Sequence, residues 1–91
     1  MSTAINTVTL TTANTEYNIH LGTIKTLTIG CRTQLGDLRI QTVSGKVATP
    51  AEPYLLVHYS SKQTLSFSPA TDVTLYLAGD VAGVVAEIIS H

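Results

Sequence analysis

Apolar and polar residues alternate with a period of two along almost the whole of this chain. Tyr17, Ile19 and Leu21 alternate with Asn18 and His20. Leu27, Ile29 and Cys31 alternate with Thr26, Thr28 and Gly30, and Leu38 and Ile40 with Arg39 and Gln41. A period of two puts one set of side chains on a buried face and the other in water, which is the mark of a β-strand. Thr, Val, Ile, Leu and Tyr dominate these segments and favour the same state. The pattern predicts strands at 6–10, 16–21, 25–31, 37–43, 54–59, 63–67, 73–77 and 84–89.

The breaks between them carry turn chemistry. Gly22 reads as a tight-turn residue and Pro69 as a chain break, while Gly79, Asp80 and Gly83 join the last two strands. Residues 44–53, SGKVATPAEP, hold a glycine and two prolines and read as the longest loop. From Pro53 to Ile89 four short runs follow one another with no segment of helical length. Short strands at regular spacing suggest a sandwich or barrel, and a parallel sheet would need helical crossovers. The expected fold is all-β: a single antiparallel β-sandwich of about eight strands, jelly-roll-like. Residues 1–12 form an N-terminal arm with the first strand, and residues 13–91 form the sandwich domain. The expected core is Tyr17, Ile19, Leu21, Leu27, Ile29, Leu38 and Ile40 from the first half. Leu55, Val57, Leu65, Phe67, Val73, Leu75, Leu77, Val85 and Ile89 supply the second.

Composition narrows the function classes. A chain of 91 residues supports one domain, with 44% hydrophobic residues for its core. Charged residues make up 12%, about half the usual 25%. A Thr- and Ser-rich surface with few charges suits packing against other protein copies, so self-association is expected, with a trimer favoured. Net charge is −1, and the basic residues Lys25, Arg32, Arg39, Lys46 and Lys62 are scattered, which argues against nucleic acid as a partner. No apolar run approaches the ~18 residues that span a bilayer, so no membrane partner is expected. The opening MSTAINTVTL lacks a signal-peptide pattern, so synthesis in the cytoplasm is expected. The lone Cys31 excludes an internal disulfide and reads as a small buried hydrophobe.

Candidate chemistry is thin. His20 and His58 lie in strands and could present two imidazoles to a metal, but their spacing offers no ligand pair, and they read as solvent-facing or interface residues. Glu16, Asp37, Glu52, Asp72, Asp80 and Glu87 are dispersed, and no nucleophile elbow or phosphate-binding glycine loop accompanies the serines. No catalytic residue, cofactor site or metal site is expected. Glu87 interrupts the run VVAEII, and shares a face with Val85 and Ile89 at a solvated or subunit-facing rim. Tyr17, Tyr54, Tyr59, Tyr76 and Phe67 lack the basic groove that base-stacking rings need, and read as core or interface residues. The first strand presents an uncharged amphipathic edge through Ile5, Val8 and Leu10. The expected interface residues are therefore Ile5, Val8, Leu10, Tyr54, Tyr59 and Glu87.

The segment TTANTEYNIHL, followed by IKTLTIGCR and DLRIQTV, resembles a family of small proteins encoded by tailed phages. That family shows an ANTEY opening, a KK-F-T-I-type strand, a D-L-R strand, a Tyr-hydrophobic strand and a closing TAG-VVE-type strand. The matching parts here are residues 13–17, 25–29, 37–39, 54–57 and 81–88, so the resemblance spans roughly residues 11–89. The chain departs from it at Lys25-Thr26, where the family has paired lysines, in VVAEII, and in the loop 44–53. The resemblance implies a virion component without catalytic residues: a capsid decoration or cement protein on the capsid surface, bound to the major capsid protein, or a small tail-associated protein. The alternatives are a carbohydrate- or receptor-binding sandwich module, which needs exposed aromatics, and a small hydrolase, which needs a histidine–acid pair in a pocket.

Overall fold

Two long strands, β2 (Tyr17–Cys31) and β5 (Lys62–Gly79), form the spine of the protein in a computed structural model that describes residues 3–32, 36–45, 47, 54–58 and 61–91. Four shorter strands join them: β1 (Ala4–Leu10), β3 (Leu38–Gln41), β4 (Leu55–Val57) and β6 (Val84–Ser90). All six belong to one antiparallel sheet in the order β1-β6-β2-β5-β3-β4, and no helix occurs among the described residues.

The spine is flanked on opposite sides at opposite ends. β6 pairs with β2 only from Leu27↔Ser90 to Cys31↔Ala86. β3 pairs with β5 only from Leu38↔Gly79 to Gln41↔Tyr76. Between these ends the β2–β5 ladder carries two irregularities. In the first, Leu21 is an extra residue on β2 between the pairs His20↔Thr74 and Gly22↔Val73. Gly22 has φ +76°, in the left-handed region that glycine enters without a Cβ clash. In the second, Phe67, Ser68, Pro69 and Ala70 of β5 stand against Lys25 alone, between Ile24↔Thr71 and Thr26↔Ser66. Bulges of this kind bend a strand and raise its local twist.

These bends explain why about eight expected strands become six. Gly22 and Pro69 do disturb the backbone, but the chain continues in the same direction through each. The expected strands 16–21 and 25–31 are two halves of β2, and 63–67 and 73–77 are two halves of β5.

The two ends of the bent sheet share one hydrophobic cluster. Leu27 and Ile29 of β2 and Val84, Ala86 and Ile88 of β6 join it from one end. Leu75 and Leu77 of β5, Leu38 and Ile40 of β3 and Val57 of β4 join from the other. Tyr17, Ile19, Leu21, Leu55, Leu65 and Phe67 pack against it partly buried. Leu10 and Ile24 belong to the cluster as well, though the sequence pattern did not assign them to it.

Two assignments require correction. Val85 and Ile89 were expected in the core, yet Ile89 is 43% exposed and Val85 is half-buried, while Val84, Ala86 and Ile88 are fully buried. The run VVAEII is apolar in both phases, and the charge on Glu87 decides between them by taking Val85 and Ile89 outward with it. Arg39 was expected on a wet face, but it is only 6% exposed. Its Nε donates to the Val47 carbonyl at 2.7 Å and its Nη2 to Asn14 Oδ1 at 2.6 Å. The turn before β2 and the segment after β3 thus close over this residue, so β3 is covered on both faces. A buried guanidinium is tolerable only with such acceptors in place.

Candidate interaction surface

The outer face of β1, β6, β2 and the first half of β5 brings two of the exposed large hydrophobic residues, Ile5 and Ile89, side by side. Register fixes its rows, because directly opposed residues of antiparallel strands share a face. Ile5 opposes Ile89, Ile89 opposes Thr28, and Thr28 opposes Thr64. The next row runs Thr7, Glu87, Gly30 and Lys62. Ile5 is 73% exposed and lies beside Ile89, so two neighbouring isoleucines face water. The Thr28 and Thr64 hydroxyls are 3.1 Å apart and hydrogen-bond across the strands.

Gly30 lets this surface dip. A Cβ placed there would lie 3.0 Å from Lys62 Cγ, so the Lys62 stem crosses the strand where no side chain stands. Ile5, Thr28, Gly30, Lys62, Glu87 and Ile89 line a depression of about 230 Å³. At its border Arg32 Nη2 donates to Glu87 Oε2 at 2.8 Å, with both side chains about half exposed. An ion pair in that setting contributes roughly 0–1 kcal/mol and mainly neutralises the rim.

The expected interface residues fall in different places. Ile5 and Glu87 lie on this face in adjacent rows. Val8 turns inward and packs against the core, and Leu10 is fully buried within it. Tyr54 lines a second cleft of about 390 Å³ with Phe67, Leu55 and Leu65, between β3–β4 and β5. Tyr59 lies outside the described residues. The sequence reading missed Ile89, Thr28 and Lys62 as surface partners of Ile5. The signal available for Ile89 was its shared phase with Glu87.

The histidines meet carboxylates one at a time. His20 Nε2 lies 2.7 Å from Asp72 Oδ1, at the first bulge and largely exposed. His58 Nε2 lies 3.7 Å from Asp37 Oδ1. Among the described residues no group of three or more His, Cys, Asp and Glu is placed to hold a metal ion. Cys31 is half-buried, with its thiol 3.6 Å from the Gly36 carbonyl.

No protein-family model matches the chain, and no curated protein matches it. A solved chain from work on Bacillus endospore appendages, described there as a novel family of disulfide-linked pili, is similar at 18% identity with a TM-score of 0.45. The match covers 98% of this chain and 86% of that one.

Proposed function

We propose that this chain is a non-catalytic structural protein of a tailed-phage virion, a capsid decoration protein that docks on the major capsid protein and self-associates. The observation that carries the docking is the pair of adjacent exposed isoleucines, Ile5 and Ile89, on a sheet face with a neutralised rim. Burying a fully exposed isoleucine contributes about 1.5–3 kcal/mol, so covering the exposed parts of this pair supplies a share of the driving force for docking. Each contact is small, and repetition over a capsid lattice raises the avidity without a tight individual site. The resemblance of residues 11–89 to small phage proteins supports the choice of capsid as partner. Tyr54 and Tyr76 are half-buried, which favours protein docking over a sugar-stacking site that needs open rings.

The finer architecture belongs to the same reading. The two bends divide β2 and β5 into halves, each half lying with two of the shorter strands. We read the result as a jelly-roll-like sandwich of eight strand segments closed over the shared cluster.

The test is add-back of purified protein to phage heads that lack decoration, read by co-sedimentation. Wild-type protein is expected to bind and saturate, and Ile89→Asp to bind at least tenfold more weakly while keeping the wild-type circular dichroism spectrum. Wild-type protein that stays in the supernatant, or an Ile89→Asp variant that binds equally well, overturns the proposal.

A further inference from the structure

We infer that β1 is a homotypic seam: two copies pair antiparallel through their β1 edges, centred on Thr7, into one continuous sheet. The direction of the backbone groups carries this. Val85 C=O accepts from the Arg32 N–H at 2.8 Å, and His91 exchanges two hydrogen bonds with Thr26 at 2.9 and 3.1 Å. Those contacts point the backbone groups of residues 85, 87, 89 and 91 toward β2. Successive residues of a strand point opposite ways, so Val84, Ala86, Ile88 and Ser90 point theirs at β1. Their register partners there are Leu10, Val8, Asn6 and Ala4. Ile5, Thr7 and Thr9 therefore turn both N–H and C=O to the outer edge of β1, beyond which no further strand lies among the described residues.

The occupant follows from the character of this edge. Natural edge strands are blunted by charge, proline, bulges or shortness. β1 runs for seven residues, AINTVTL, with no charge and no proline, and its register with β6 is unbroken. A second copy of the same strand is matched to it in length and places no like charges opposite one another. Centring on Thr7 pairs all the outward groups: Ile5 with Thr9 of the second copy, Thr7 with its own equivalent, and Thr9 with Ile5. Each such pair exchanges both N–H···O bonds. The opposite edge, β4, is only three residues long and offers a poor head-to-tail alternative. A seam of this kind is isologous and closes at two copies, whereas the sequence reading favoured a trimer. The contact is a single seven-residue edge on each copy, so the dimer is of the weak, concentration-dependent class. The inference rests on the self-association in the proposed function and names its contact. It uses the edge of β1, not the outer face.

Sedimentation equilibrium up to about 1 mM, a concentration that populates even weak complexes, tests the seam. Wild-type protein is expected to show a monomer–dimer equilibrium. Thr7→Pro removes an outward N–H that the β6 ladder does not use, a position where an edge strand accepts proline. Thr7→Lys sets like charges across the two-fold axis. Both variants are expected to stay monomeric over the same range with wild-type circular dichroism. A wild-type protein that is only monomeric or only trimeric sinks the inference, as does a Thr7→Lys variant that dimerises like wild type. If Thr7→Pro fails to fold, Thr7→Lys decides. Ile89→Asp separates the two proposals, because it is expected to lose heads and keep the dimer. A dimer that never binds heads leaves the seam standing and removes the capsid partner.

Discussion

Ile88 and Ile89 are adjacent, chemically identical and on opposite faces of β6, so truncating each to Ala measures which phase of VVAEII the fold buries. Ile88 is 0% exposed and sits in the shared cluster; Ile89 is 43% exposed on the outer face. Ile→Ala removes three carbons, worth about 2.4 kcal/mol of transfer free energy at full burial. At Ile88 the cavity left behind adds to this, which places the cost at about 3–4 kcal/mol within the usual core range. At Ile89 a little more than half of the transfer remains, about 1.4 kcal/mol, and solvent fills the gap. The loss of strand propensity is common to both and cancels in the comparison. The difference of about 2 kcal/mol should separate the urea midpoints by about 1 M, taking a typical slope for a small domain. Measurements belong at low concentration, where the monomer dominates. Equal midpoints, or a larger loss at Ile89, would show that the burial phase of β6 is the reverse of the one described.

Arg39→Met keeps the bulk of the stem but leaves the Val47 carbonyl and Asn14 Oδ1 without this donor, and should lower stability by about 2–4 kcal/mol; an unchanged urea midpoint refutes it. Gly22→Ala meets no atom within 4 Å of the new Cβ, so its cost isolates the backbone at φ +76° and should be about 1–2 kcal/mol, with a negligible change arguing against that conformation. The Tyr17 phenol is held below its ordinary pKa, first by its hydrogen bond with the Thr11 hydroxyl and then by contacts with Thr12. In a spectrophotometric titration Tyr17→Phe should therefore remove a tyrosine step that lies below the ordinary phenol value, and a variant that leaves such a step in place contradicts the assignment.

The strands were legible where a single phase was apolar. Leu27 and Ile29, Leu38 and Ile40, and Leu75 and Leu77 each stand in a segment whose other phase is polar, and all are buried as the alternation requires. β6 was ambiguous because Val84, Ala86 and Ile88 are as apolar as Val85 and Ile89, and one glutamate carried the decision. The division into strands was less legible. A glycine at a bulge and a glycine at a reversal have the same local chemistry, and Gly22 is separated from the turn reading only by its cross-strand partner Val73, which lies far along the chain. Arg39 was misread for a related reason. Its burial depends on Asn14 and Val47, and acceptors supplied by two other segments leave no mark in the alternation around it.

The seam lay beyond the sequence for a stronger reason. That β1 is uncharged and amphipathic is visible in the letters AINTVTL, and this made it a candidate interface strand. Which of its residues face outward depends on β6, the last strand of the chain, and the orientation of β6 depends in turn on β2. The contacts of Arg32 with Val85 and of Thr26 with His91 fix the parity of β6, and the register Thr7↔Glu87 passes it to β1. Sequence pattern can say which side chains are wet, because that follows from hydrophobicity. It cannot say which amides are unpaired, because every non-proline residue carries the same N–H and C=O. In β1 the two properties coincide: Ile5, Thr7 and Thr9 present both exposed side chains and outward backbone groups. Pairing at the edge therefore extends the outer face without turning it over, and keeps Ile5 and Ile89 of each copy on the same side. A dimer built this way would present the proposed docking residues Ile5 and Ile89 twice on one side, an arrangement that gains avidity on a repeating partner.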